Sequence, residues 1–183
     1  MEISKGKLLI RSVTASDAPL LNKWWNDGKV MEHAGFPLGL NQTLEKTEEE
    51  IDSWKGRLSQ LCIIEIDGQP VGELSYRIRG EGAAYPGWKI CEASFQNQGY
   101  GPQIIRLLFE FIFTDERINS IEPIDRIVWD TMLDNKRAQY VYEEKIGARK
   151  TDIKEKSWQD QLGNWRDLVY YEISREEFFS AGE

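Results

Sequence analysis

Residues 96–102, Gln96-Asn97-Gln98-Gly99-Tyr100-Gly101-Pro102, set two glycines and a proline between two apolar segments of different period. Ahead of them Trp88, Lys89, Ile90, Cys91, Glu92 and Ala93 read as a strand, and behind them Ile104, Ile105, Leu107, Leu108, Phe111 and Ile112 recur at helical spacing. The stretch predicts a strand that turns through glycine into a helix, with Pro102 in the first turn, which tolerates a missing N–H. The start of such a helix leaves backbone N–H groups without partners and carries partial positive charge. Glycines there let a bulky anion approach the backbone closely, so the turn predicts a seat for phosphate oxygens. A Gly-Lys-Ser/Thr ending is absent, which argues against a P-loop.

The remaining chain reads as strands and helices that interleave. Leu8 to Ser12 predicts a strand, and Thr14 with Asp17 predicts a capped helix start, followed by Leu20, Leu21, Trp24 and Trp25. A second helix is expected from near Thr47, through Trp54, to about Leu58. Gln60 to Ile66 and Val71 to Ile78 predict a hairpin about Asp67-Gly68. Residues 80–87 read as a glycine-rich loop. Residues 114–125 read as a polar connection, and Arg126 to Thr131 as a buried strand. A helix from Asp134-Asn135 ends at Gly147, two strands follow at 148–158 and 165–173, and Ser174 with Glu177 caps a last turn. The expected order is β-α-α-β-β-β-α-β-α-β-β: an α/β (α+β) chain with a central mixed sheet flanked by helices, folded as one domain over residues 1–183.

Composition narrows the function classes. Net charge is −8, which disfavours nucleic acid and favours cationic small molecules. His33 is the sole histidine, so a multi-His metal site is excluded, and no Cys/His cluster has zinc spacing. Cys62 and Cys91 lie in apolar runs and are expected as buried free thiols. No apolar run reaches the ~20 residues of a membrane span, and the first residues lack a signal-peptide core. The expectation is a cytoplasmic protein, monomeric or homodimeric, with no metal and no membrane contact.

Two separated signals then coincide in order: Gln96-x-x-Gly99-x-Gly101 at the strand-to-helix turn, and Asn135-x-x-Ala138-x-x-x-Tyr142-Glu143 on the next helix. Together with the element order they resemble the GNAT superfamily of acetyl-CoA-dependent N-acetyltransferases. Asn22-Lys23-Trp24-Trp25-Asn26-Asp27 and Gly163-Asn164-Trp165-Arg166-Asp167 resemble its ribosomal-protein N-terminal acetyltransferase branch. The resemblance spans essentially the whole chain. It implies a GNAT fold whose mostly antiparallel sheet splays at the acetyl-CoA site. It also implies that the turn (Ala93, Gln96, Asn97, Gln98, Gly99, Tyr100, Gly101, Pro102), with Asn135, binds coenzyme A. Tyr142 then protonates the departing thiolate. This chain takes one residue more than the family commonly does to reach Gly147, so a bulge is one expectation and Tyr140 competes with Tyr142. Ala148 stands where the family usually has a bulky residue.

Acetylation of an amine needs a neutral nucleophile, because ordinary amines are protonated at neutral pH. Glu92 is the expected base, on one strand face with Trp88 and Ile90, where an apolar setting would raise its pKa. Glu73 and a relayed water are the alternatives. Trp25, Phe36 and Glu73 are expected to meet the acceptor, a small cationic amine or a protein N-terminus. The competing function is a non-catalytic acyl-CoA sensor or scaffold.

Overall fold

The computed structural model describes residues 1–56 and 58–180. Eight strands form one sheet: β1 (Glu2–Lys5), β2 (Leu8–Ser12), β3 (Gln60–Ile66), β4 (Gln69–Ile78), β5 (Ala83–Ile90), β6 (Arg126–Met132), β7 (Arg149–Gln159) and β8 (Trp165–Ser174). They lie in the order β1-β2-β3-β4-β5-β6-β8-β7, and every pairing is antiparallel except β5 with β6.

Helices cover both faces, and strand alternation shows which. Cys62, Ile64, Leu74, Tyr76, Ala84, Ile127, Trp129 and Tyr171 join one core with Ile104, Ile105, Leu108, Phe109 and Ile112 of α4 (Tyr100–Thr114). Leu61, Ile63 and Cys91 face the other way. They pack under α1 (Ala18–Trp25), α2 (Gly28–Met31) and α3 (Leu44–Ser53), with Leu21, Trp24, Trp25, Met31 and Ile51. The continuous apolar run Leu61 to Ile64 follows from a strand buried on both faces. Among the described residues no helix is long and apolar enough to cross a membrane.

The hairpin about Asp67-Gly68, the strands at 8–12, 60–66 and 126–131, and the α4 start are where the sequence puts them. Four features differ. β1 was not read; it pairs with β2 through Gly6, at φ +61°. α3 begins at Leu44, because Thr43 rather than Thr47 caps it, its side chain accepting from the Lys46 N–H. That helix ends at Ser53, short of the expected Leu58, and Arg57 lies outside the described residues. The expected loop at 80–87 is mostly β5, and the strand read to Ala93 stops at Ile90. Pro86 and Gly87 are turn formers by type, but here β5 has lost its neighbour β6, the edge-like setting in which a strand tolerates proline. A short helix, α5 (Glu116–Asn119), occupies the segment read as a polar connection, and α2 was not read.

Candidate active site

β5 pairs with β4 from Ala84 opposite Ile78 to Ile90 opposite Gly72. Against β6 it makes only two pairs, Ala83 with Arg126 and Ala84 with Ile127, and then the strands part. The gap is a cleft of about 730 Å³, walled by Pro86, Trp88 and Lys89 on one side and Trp129, Asp130 and Thr131 on the other. Strand alternation gives the gap two chemically different faces. On the α4 face stand Trp88, Trp129 and Tyr142. On the α1–α3 face stand Glu73, Lys89 and Asp130.

At one end the polypeptide makes the turn into α4. Asn97 and Gly99 are left-handed, at φ +61° and +79°, and Gly99 precedes the helix, putting Pro102 in its first turn. The Gln96 side chain donates to the last β5 carbonyl, Ile90 O, at 2.9 Å. A Cβ added at Gly99 or Gly101 meets no atom within 4 Å. The space over the helix start is therefore open, and nothing inside the protein requires a glycine at 101. Residues 96 and 101 line the cleft; Asn97, Gln98, Gly99, Tyr100 and Pro102 continue the turn beside it.

α6 (Lys136–Tyr140) supplies the next wall. Asn135 caps it, its Oδ1 accepting from Ala138 N–H and its Nδ2 donating to Thr131 Oγ1, both at 3.2 Å. From Val141 to Ile146 the helix widens into a π turn that closes at Gly147, φ +81°. The extra residue before Gly147 is absorbed there, and π turns recur at functional sites. The turn separates the two candidate tyrosines. Tyr140 points outward, 56% exposed, whereas Tyr142 is 7% exposed and lines the cleft. The Tyr142 ring meets Trp88, Trp129 and Tyr171 edge-on, with centroids 5.6, 5.5 and 5.2 Å away. Among the described residues its hydroxyl has no hydrogen-bond partner. Burial, with Asp130 nearby, pushes its pKa well up, so it stays protonated.

Glu92 is corrected by the structure. It lies past the end of β5 and outside the cleft, and its Oε1 accepts from Trp24 Nε1 at 2.8 Å and Lys23 Nζ at 3.2 Å. The indole N–H, with the Lys23 ammonium, holds its carboxyl below the usual range, the opposite of the expected direction for a base. Trp25, the last residue of α1, is buried against the sheet and Phe36 sits on the surface; neither lines the cleft, because helical spacing aims Trp25 at the core. Ala93 lies in the short turn after β5, also away from the cleft. Glu73 does line it, but its carboxylate is engaged by Lys89 Nζ at 2.8 Å.

Among the lining residues not singled out from sequence are Asp130, Lys89 and Trp158. Asp130 has no ion pair or hydrogen bond among the described residues, and partial desolvation inside the cleft lifts its pKa although the residue remains solvent-exposed. The signal was present, an acid breaking the apolar strand Ile127, Val128, Trp129. His33, Lys29 and Arg137 also line the cleft. Among the described residues no group of three or more His, Cys, Asp or Glu is placed to hold a metal.

A model of the "Acetyltransferase (GNAT) domain" matches residues 7–149, and the chain belongs to the GNAT acetyltransferase family. By that family it is an N-acetyltransferase. Three solved structures share the fold. The ribosomal L7/L12 alpha-N-protein acetyltransferase RimL in complex with coenzyme A is 20% identical with TM-score 0.80, over 95% of this chain and 98% of that one. Spermidine N-acetyltransferase from Vibrio cholerae, in complex with CoA and spermine, is 15% identical with TM-score 0.80, over 96% and 99%. A GNAT-family acetyltransferase from Bacillus anthracis is 24% identical with TM-score 0.77, over 97% and 100%.

Proposed function

We propose that the whole chain, acting as one domain, moves the acetyl group of acetyl-CoA to a primary amine that carries a single ammonium, such as the α-amine of a protein N-terminus. The carrying observation is the cleft itself, whose two faces meet where β5 and β6 part. The left-handed turn at 97–99 and the open space above Gly101 fit a diphosphate against the α4 amides. Arg137 also lines the cleft and adds a cation to it. Bared backbone groups of β5 beyond Ala84 suit an extended, amide-bearing arm in the gap, as an added strand would.

On the opposite face Asp130 takes the proton of the acceptor ammonium. Its raised pKa makes it a better base than an ordinary surface carboxylate. Tyr142, buried and protonated, gives its proton to the departing sulfur. Two aligned substrates supply much of the rest, since good orientation is worth ~7–11 kcal/mol.

Charge favours an acceptor with one ammonium. With Glu73 taken by Lys89, Asp130 is the lining carboxylate left unpaired among the described residues, against Lys29 and Arg137. A polyamine would bring several positive charges to one carboxylate. A thiol-release assay with acetyl-CoA should turn over N-terminal peptides faster than polyamines or aminoglycosides. Equal or better turnover of spermidine would reject this acceptor class.

A further inference from the structure

We infer that Lys89 is a latent self-acetylation site of this enzyme, kept out of reaction by its ion pair with Glu73. The inference rests on the acetyltransferase reading of the same cleft and asks what an amine already inside it does. Lys89 follows Trp88, whose ring meets the Tyr142 ring, and its own side chain lies on the α1–α3 face among the lining residues. In the proposed reaction that is the face from which the acceptor amine reaches the gap. The protein thus carries a primary amine of its own beside the place where its substrate amine is acetylated.

What separates Lys89 from a substrate is Glu73. The two residues are direct partners across β4 and β5, with Nζ and Oε1 2.8 Å apart, and the Glu73 side chain is only 8% exposed. Two opposed effects act on the ammonium. Burial pulls its pKa down, while the charge and hydrogen bond of Glu73 more than restore it, with smaller help from Cys91 and from Glu50 of α3. The other titratable groups on the cleft are Lys29 and His33 from the α2 side, Asp130 across the gap, Arg137 of α6 and Tyr142 beneath it. Removing Glu73 leaves burial as the dominant effect, and its sign favours the free amine.

The step then balances without any further reagent. The neutral Nζ attacks the thioester carbonyl, the N–C bond forms and the C–S bond breaks. Coenzyme A leaves as the thiol, taking up the proton that the nitrogen sheds. The product is an acetamide at Lys89, which can no longer pair as a cation with Glu73.

The test uses the full chain with acetyl-CoA and no acceptor, read by intact mass and peptide mapping. Lys55, on the surface with its side chain 69% exposed, reports uncatalysed acetylation. Wild type should show no more adduct at Lys89 than at Lys55. Glu73→Gln should gain one acetyl at Lys89, several-fold above Lys55, and the double variant Glu73→Gln/Lys89→Arg should lose it. Glu73→Asp keeps the charge but shortens the arm by one methylene, so it should give an intermediate adduct and stands in if Glu73→Gln does not fold. A folded variant with no excess at Lys89, or wild type as heavily modified as Glu73→Gln, overturns the inference. If wild type from the same preparation acetylates an amine while Lys89 of the variants stays bare, only this inference falls. If coenzyme A binds and neither amine nor lysine is acetylated, the acetyltransferase reading falls with it.

Discussion

Replacing Tyr142 by phenylalanine removes one oxygen from the cleft, and the structure says what that oxygen is not doing. It has no hydrogen-bond partner among the described residues, while the ring keeps its edge contacts to Trp88, Trp129 and Tyr171. Tyr142→Phe should therefore leave stability within about 0.5 kcal/mol of wild type, as expected where no network or packing is broken. Coenzyme A affinity should hold as well, since the proton is needed only when the thiolate departs. Turnover carries the whole effect, because a positioned acid contributes about 10²–10⁴-fold, or roughly 3–5 kcal/mol of barrier. Tyr171→Phe is the internal contrast. That hydroxyl donates to Glu143 at 2.6 Å, so its loss should cost about 1–2 kcal/mol of stability, after discounting for a part-exposed carboxylate, with turnover largely kept. Thermal melts, coenzyme A titration and thiol release at saturating acetyl-CoA separate these quantities. A Tyr142→Phe enzyme that keeps more than a third of wild-type kcat refutes the acid role, whatever its melting temperature.

Asp130→Asn should cut kcat/KM and abolish the acidic limb of its pH profile. In wild type that limb marks protonation of a carboxylate lifted by partial desolvation, so it should lie above the range of a surface aspartate; an unchanged limb rejects Asp130 as the base. Gly101→Val adds atoms where the protein has none within 4 Å, so melting should barely move while coenzyme A binding weakens about tenfold or more, and equal binding would remove the phosphate seat from the helix start. Gly35→Ala places a Cβ 1.8 Å from the Trp158 ring at φ +90° and should cost about 2–5 kcal/mol, read as a Tm drop of about 5 °C or more. Asp17, bonded by both Arg11 guanidinium nitrogens at 2.8 Å, has its pKa lowered despite burial, which alone would raise it. Its contribution is full above the unfolded aspartate pKa and is lost as pH falls through the folded one, so acid unfolding of Asp17→Asn should be the shallower.

What could be read without coordinates follows from the range of the interactions involved. Gly99 and Gly101, the caps at Thr14 and Ser174, and the hairpin at Asp67-Gly68 are decided by neighbours a few residues away, and each was legible. Glu92 was misjudged because its partners Lys23 and Trp24 come from α1, nearly seventy residues earlier. β5 was misjudged because turn-forming residues become tolerable once the neighbouring strand departs, and that departure is a property of the sheet. The π turn lies between these cases. One surplus residue before Gly147 was visible, but which tyrosine it would turn inward depends on packing against Trp88 and Trp129.

Bulk charge is a weak guide to the acceptor for a related reason. A net charge of −8 suggests attraction for cationic substrates, yet most of that charge lies away from the cleft. Surface charges are screened beyond about 8–10 Å at physiological salt, so a substrate in the gap feels the lining rather than the total. Along that lining the cations Lys29, Lys89 and Arg137 face two carboxylates, and Glu73 answers Lys89 already. One open carboxylate beside one protonated tyrosine matches a reaction that moves one proton off nitrogen and one onto sulfur. On the proposed reading, an acidic protein keeps a site that takes a single ammonium more readily than a chain of them.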